Sequence, residues 1–324
     1  MSASAALDTG VFLMSLDTEL AWGGVHDGSH RDREPLFRET RSCVSRLLGL
    51  MEEHGIRATW AVVGHLMLSG CSSRNGRKHP EIERPAYAWF EGDWFDADPA
   101  CGWREAPSWY APDLVEAILE CPVEMEVGCH TFSHVVAGDP GCGRRVFETE
   151  LDACVAVAEE WGLELRSFVH PRNGIGHLDV LREKGFTCFR GWTEPGWHGL
   201  FPGPARKAAR GVQWLTTAPP LTARPSREEG LWNLPATTFY LHRQGAAGTL
   251  PVSLRARRAE AGIDRAAEER SMFHLYLHPF NLASDPDGLL GGLERIFRHV
   301  ARRRGEGVLA NPTMGALAGE LGAR

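Results

Sequence analysis

Residues 11–19, Val-Phe-Leu-Met-Ser-Leu-Asp-Thr-Glu, set the frame in which the rest of the chain is read. Val11 to Leu16 is a nearly continuous apolar run that stops at acidic residues, the pattern of a strand covered on both faces. Residues two apart on a strand project to one face, so Asp17 and Glu19 leave the strand end together while Thr18 points the other way. Like charges held close raise one another's pKa unless a cation or a proton transfer uses them. An acid pair ending a buried strand therefore invites a metal. A helix N-cap beside a solvated loop acid is the plainer alternative.

Outward from this strand, Val44, Leu47, Leu48 and Met51 recur at helical spacing within 36–53, and the run stops at His54-Gly55 as a helix C-cap should. Ala58 to Val63 reads as the next strand. The alternation resumes past residue 110. Helices are predicted over 112–119, 145–161, 175–184, 290–304 and 312–321, and strands over 125–128, 167–169, 187–190, 272–277 and 307–309. Repeated strand and helix units with no charged linker predict an α/β fold, a distorted (β/α)7-type barrel forming a single domain over 1–324 with its core at about 10–318. Two stretches, about 68–109 and 196–224, are too long for simple connections and read as loop insertions. Trp89, Trp94, Trp103 and Trp109 in the first are flat surfaces on which sugars or aromatic groups stack, with local packing as the alternative.

The 324 residues carry a net charge of -7, and basic residues cluster only at Arg255 to Arg258 and Arg298 to Arg304, in helical patterns with acidic neighbours. These read as solvated helix faces, which argues against nucleic acid as the main partner. No apolar run approaches the roughly 18 residues of a membrane span, so no membrane partner is expected. Met1 to Gly10 lacks a charged and then apolar leader, and the expected location is the cytoplasm. Eight cysteines occur without a CxxC pair, unlike a zinc ribbon or a secreted disulfide framework, so reduced and mostly buried thiols are expected.

His130-Thr131-Phe132-Ser133-His134 follows the strand at 125–128 and places two imidazoles four residues apart, where one helical turn would aim both at one point. Taken in order, SLDTE (15–19), RATWAVVG (57–64), EVGCHTFSH (126–134), SFVHPRN (167–173) and LYLHPF (275–280) are similar to the motifs of polysaccharide deacetylases carrying the NodB homology domain, the carbohydrate esterase family four type. The resemblance runs from residue 15 to 280.

That resemblance implies a distorted barrel of about seven strands in which a carboxylate and two histidines hold one divalent metal that activates water against an amide carbonyl. The family places two adjacent aspartates in its first motif, as base and metal ligand, whereas Thr18 stands in the second place here. The implied ligands are then Glu19, His130 and His134, with Asp17 as general base. The swapped assignment, Asp17 on the metal and Glu19 as base, stays open. Zinc is the expected ion for such N and O ligands, with nickel, cobalt, iron or manganese as alternatives. His278, in Leu277-His278-Pro279, matches the family's late histidine, which protonates the leaving amine. Arg172 falls where the family orients its catalytic aspartate, and Arg166 competes for that role. Trp22, Trp94, Trp192 and Asn173 are the candidate substrate-binding residues. The implied substrate is a glycan or small molecule bearing an N-acetyl group. Hydrolysis of a non-carbohydrate C–N bond, as in allantoinase-like or cyclic-imidase-like relatives, and a degenerate sugar-binding barrel are the alternatives.

Overall fold

A computed structural model describes residues 5–193, 221–243, 248 and 250–323. The strands are β1 (Gly10–Thr18), β2 (Ala58–Val62), β3 (Met125–Cys129), β4 (Ser167–Val169), β5 (Cys188–Arg190), β6 (Ser226–Glu228), β7 (Leu231–Asn233), β8 (Thr238–Phe239), β9 (Met272–Leu277) and β10 (Leu309–Ala310). The α-helices among the described residues are α1 (Glu34–His54), α2 (Pro112–Leu119), α3 (Arg144–Glu160), α4 (Leu178–Glu183), α5 (Val252–Glu269), α6 (Pro286–Gly305) and α7 (Met314–Gly322). All pairings among the described strands are parallel except β6 with β7.

The sheet curls until its two ends share one segment. Trp232, Leu234 and Ala236 donate backbone N–H groups to Thr187, Phe189 and Gly191 alongside β5, whereas Thr237 and Tyr240 donate to His274 and Tyr276 of β9. The ring therefore runs β1, β2, β3, β4, β5, the β7–β8 segment and β9, then returns to β1, which pairs with both β2 and β9. This is the distorted (β/α)7-type barrel expected from the sequence. The closing segment was absent from the sequence reading, because its strands of three and two residues are too short to display a period.

Alternation along β1 sorts its side chains. Phe12, Met14 and Leu16 face the surrounding helices, while Val11 and Leu13 point inward with Ala61, Val169 and Leu234. Met314, Leu317 and Leu321 of α7 plug this interior. The start of α7 is held by Glu126, which accepts from Gly315 N at 2.9 Å and from the hydroxyls of Thr59 and Ser167. A carboxylate at a helix N-terminus meets the positive end of the helix dipole. With the lower barrel filled, the polar residues Ser15, Asp17 and Glu19 occupy the opposite, C-terminal end of the ring.

Helix α1 ends at Gly55, whose φ of 62° suits the left-handed cap expected there. The insertion at 68–109 carries no helix or strand, and the pairing of Gly70 with Gly102 closes its base. Most of the 196–224 insertion lies outside the described residues. Arg255 and Arg258 correct the solvated reading of their cluster: both are buried on α5, and Arg255 donates to the carbonyls of Leu241, His242 and Leu250. All eight cysteines are free thiols, as expected. No helix among the described residues is long and apolar enough to cross a membrane.

Candidate active site at the barrel mouth

Glu19, just past the end of β1, lies with Oε2 2.9 Å from His134 Nε2 and 3.4 Å from His130 Nε2. His130 Nδ1 stands 2.7 Å from the carbonyl of Val169, an acceptor, so that nitrogen carries the ring proton and Nε2 turns its lone pair toward Glu19. Both Nε2 atoms are buried without a hydrogen-bond partner. Burial pushes the Glu19 carboxyl upward, but the imidazoles of His278 and His134 outweigh it and hold the group well below the usual range. One carboxylate and two imidazoles, with ligand atoms within 4.8 Å of one another, fit a divalent ion that keeps a position open.

The two histidines do not meet by a helical turn. His130 to His134 is an irregular loop in which Thr131 and His134 take φ values of 59° and 66°. Left-handed backbone at non-glycine residues costs on the order of 1–3 kcal/mol each and persists only where neighbours impose it. Glu150 of α3 supplies much of that constraint. Its carboxylate accepts from Phe132 N and Ser133 N at 2.8 Å each and from Ser133 Oγ at 2.6 Å. Burial pushes the Glu150 carboxyl up to about 7 despite those hydrogen bonds. From the other side, Trp94 Nε1 donates to Ser133 O at 2.9 Å, and Gly64 N and His65 N donate to Thr131 O and Phe132 O.

Asp17 sits beside this group. Arg190, the last residue of β5, grips both its oxygens, with Nη2 2.7 Å from Oδ2, and also donates to Ser15 Oγ at 3.0 Å. The guanidinium lies 4.3 Å from the Tyr276 ring. Burial raises the Asp17 carboxyl, and the charge and hydrogen bonds of Arg190 reverse that and lower it. Arg190 therefore occupies the place expected for Arg172. Arg172 is exposed, 5.8 Å from the Trp89 ring, on a turn at φ 54°, and Arg166 is exposed in a pair with Glu164. The available signal was Arg190 itself, a charged residue ending the apolar run Cys188-Phe189.

His278 Nε2 lies 3.8 Å from Asp17 Oδ2 and 3.6 Å from Glu19 Oε1, with its side chain 24% exposed and so open to solvent from the mouth. His274 is buried beneath, with Nε2 2.9 Å from Ser15 Oγ. His170 is buried as well, with Nε2 3.2 Å from Gly176 O.

The tryptophans divide. Trp22 is fully buried against His65, Phe95 and Trp109, and Trp94 is fully buried beneath Ser133, so both expectations of substrate contact are corrected to packing roles. Trp192 is half-buried, edge-on to Tyr276 at 5.7 Å, and Asn173 is exposed beside Arg172. Trp89 is 43% exposed, stacked on Tyr87, and donates to Asp139 at 2.8 Å. With His26, Asp27, Val136, Asp139 and Arg172 it lines a cleft of about 560 Å³.

No family model and no curated protein matches the chain in sequence. Solved structures do match in shape. A structure assigned as a polysaccharide deacetylase from Mycobacterium smegmatis superposes with a TM-score of 0.64 at 14% identity, over 100% of this chain and 96% of that one. The Puue allantoinase gives 0.59 at 12% identity, over 97% and 90%. A further assigned polysaccharide deacetylase, from Pseudomonas aeruginosa PAO1, gives 0.57 at 12% identity, over 97% and 91%. At such identities the likeness speaks for the fold alone, and that fold is shared by the two assigned polysaccharide deacetylases and by the Puue allantoinase.

Proposed function

We propose that this protein is a divalent-metal-dependent amide hydrolase that removes the acetyl group from an N-acetyl amino sugar or a glycosylated small molecule. The observation that carries the reading is the convergence of Glu19, His130 and His134 beside an Asp17–Arg190 pair and His278 at one end of the barrel. A divalent ion held by Glu19, His130 and His134, zinc being best suited to these ligands, would supply electrophilic activation of water and of the amide carbonyl.

The chain's own groups divide the proton work. Asp17, kept ionised by Arg190, accepts a proton from the attacking water. His278, just past the end of β9, the strand that pairs with β1, and open to the mouth, gives a proton to the departing nitrogen, so that acetate and a free amine separate. Arg190 is a positioning residue: its planar fork fixes the plane of the Asp17 carboxylate. The cleft bordered by Trp89 has the size range of small-ligand sites and offers one exposed aromatic face for a sugar ring.

The test is acetate release from a panel of N-acetylated sugars and glycosides by metal-loaded protein, with Glu19→Gln as control. Acetate from at least one substrate, and none from the variant, is expected. No acetate from any member with metal bound refutes the reading. A second reading, hydrolysis of a non-carbohydrate C–N bond, is favoured by the rim: Trp22 and Trp94 are buried, and Arg172 offers a cation over Trp89 that suits a carboxylate or ureide. Ammonia or ring-opened product from a panel of cyclic ureides and imides, without acetate from sugars, selects it.

A further inference from the structure

A second set of ligand-type side chains lies within the first insertion. His65 comes from the turn Gly64–Met67 that follows β2, and Cys71, His79 and Asp98 come from the insertion itself. One ligand atom from each of the four lies within 4.8 Å of all the others. His65 Nε2 and His79 Nε2 are 3.1 Å apart, each is 3.3 Å from Asp98 Oδ2, and Cys71 Sγ is 3.3 Å from the same oxygen. In a tetrahedral zinc site with bonds of about 2.0–2.3 Å, neighbouring ligand atoms stand roughly 3.3–3.8 Å apart. The three distances to Asp98 Oδ2 sit at the short end of that range, and the distance between the two imidazole nitrogens falls just below it.

The outer contacts turn the four atoms inward. His65 Nδ1 is 3.1 Å from Trp109 O, an acceptor, so that nitrogen carries the proton and Nε2 presents a lone pair. His79 Nδ1 faces Glu81 Oε1 at 3.5 Å. Asp98 Oδ1 is occupied by Ala100 N and Tyr110 OH, each at 2.9 Å, which leaves Oδ2 for the cluster. Two imidazole lone pairs, a carboxylate oxygen and a sulfur thus face one point. Protons shared among them satisfy some of these atoms, whereas a divalent cation satisfies all four at once.

We infer that His65, Cys71, His79 and Asp98 form a structural zinc site that fastens the insertion to the barrel. Four protein ligands close the coordination shell, in contrast to the three at Glu19, and the sulfur selects zinc over magnesium or calcium. Binding deprotonates Cys71 and releases that proton to solvent. The anchor point is the loop that bears His130 and His134: His65 N donates to Phe132 O at 3.0 Å, and the His65 and His79 rings lie 5.5 and 5.1 Å from the Phe132 ring. A cleft of about 840 Å³ reaches Cys71 and His79 and gives the ion a path in.

The experiment strips the full chain with a chelator and titrates it with cobalt(II), following bound metal by mass spectrometry and absorbance together. The expected result is two equivalents per chain, one of them giving a thiolate-to-cobalt charge-transfer band. Glu19→Gln is expected to drop to one equivalent and keep the band, and Cys71→Ser to lose the band. The unmodified chain decides the matter without any variant having to fold. A single equivalent without a thiolate band, or a band that survives Cys71→Ser, overturns the inference. Zinc is also expected to slow alkylation of Cys71 at least about tenfold, and equal rates with and without zinc overturn it as well. Failure to release acetate while the band is present counts against deacetylation alone.

Discussion

Replacing Arg190 by methionine isolates what its guanidinium does. Arg190 and Asp17 are 2% and 4% exposed, so their pairing is shielded from water and the carboxylate left behind has no solvent to turn to. Breaking a buried pair from one side costs about 3–5 kcal/mol, which is a large part of the roughly 5–15 kcal/mol that holds a typical domain together. The loss of the bond to Ser15 and of the contact with Tyr276 adds to this cost in the same direction. Urea unfolding in the presence of chelator, so that metal binding does not enter, measures the difference. Arg190→Met is expected to lose about 3 kcal/mol or more, and Arg172→Met, on an exposed turn, less than about 0.5 kcal/mol. Adding Asp17→Asn to Arg190→Met removes the stranded charge and is expected to return roughly 2 kcal/mol, a coupling that a double-mutant cycle reads directly. An Arg190→Met cost below about 1 kcal/mol, or a cycle additive within about 0.5 kcal/mol, refutes the claim that Arg190 is the partner of Asp17.

Three further outcomes follow from the same geometry. Glu150→Ala removes the acceptor that holds Phe132 N and Ser133 N, so zinc affinity at the His130–His134 site should fall about 10–100-fold while far-ultraviolet circular dichroism is unchanged; an unaltered zinc titration would falsify the brace. Burial, reinforced by the charge of Arg190, pushes His274 down to about 3, so the folded chain keeps it neutral while the unfolded chain binds a proton below about 6.5. Its contribution is thus fully present above pH 6.5 and is lost as pH falls toward 3, about 2 kcal/mol by pH 5, and His274→Gln should flatten stability against pH over that window; parallel curves for the two proteins sink the idea. Trp22→Ala should cost about 3–5 kcal/mol of stability with KM little changed once folded, whereas Trp89→Ala should raise KM with stability nearly intact, and the reverse pattern would return Trp22 to the substrate face.

Much of the site was legible from the chain alone because its carriers are local. The period of two along β1 put Asp17 and Glu19 on one face, and the spacing of His130 and His134 after an apolar strand aimed two imidazoles at the same end of the barrel. The single helical turn expected at that pair is an irregular loop instead, since left-handed backbone at Thr131 and His134 depends on Glu150 and Trp94, which no local pattern announces. Glu150 did leave a trace: it is a carboxylate on the face of α3 that also carries Phe147, Leu151 and Cys154.

By itself, then, the sequence determined the strand and helix rhythm, the polar end of β1 and the residue types that converge there, because backbone periodicity decides which face a side chain takes. Only the tertiary structure decided which arginine meets Asp17, which tryptophans are buried, that residues 231–240 close the ring, and that His65, Cys71, His79 and Asp98 share one pocket. Those choices join residues as far as 173 positions apart, and strand order around a barrel, not spacing along the chain, brings such partners together.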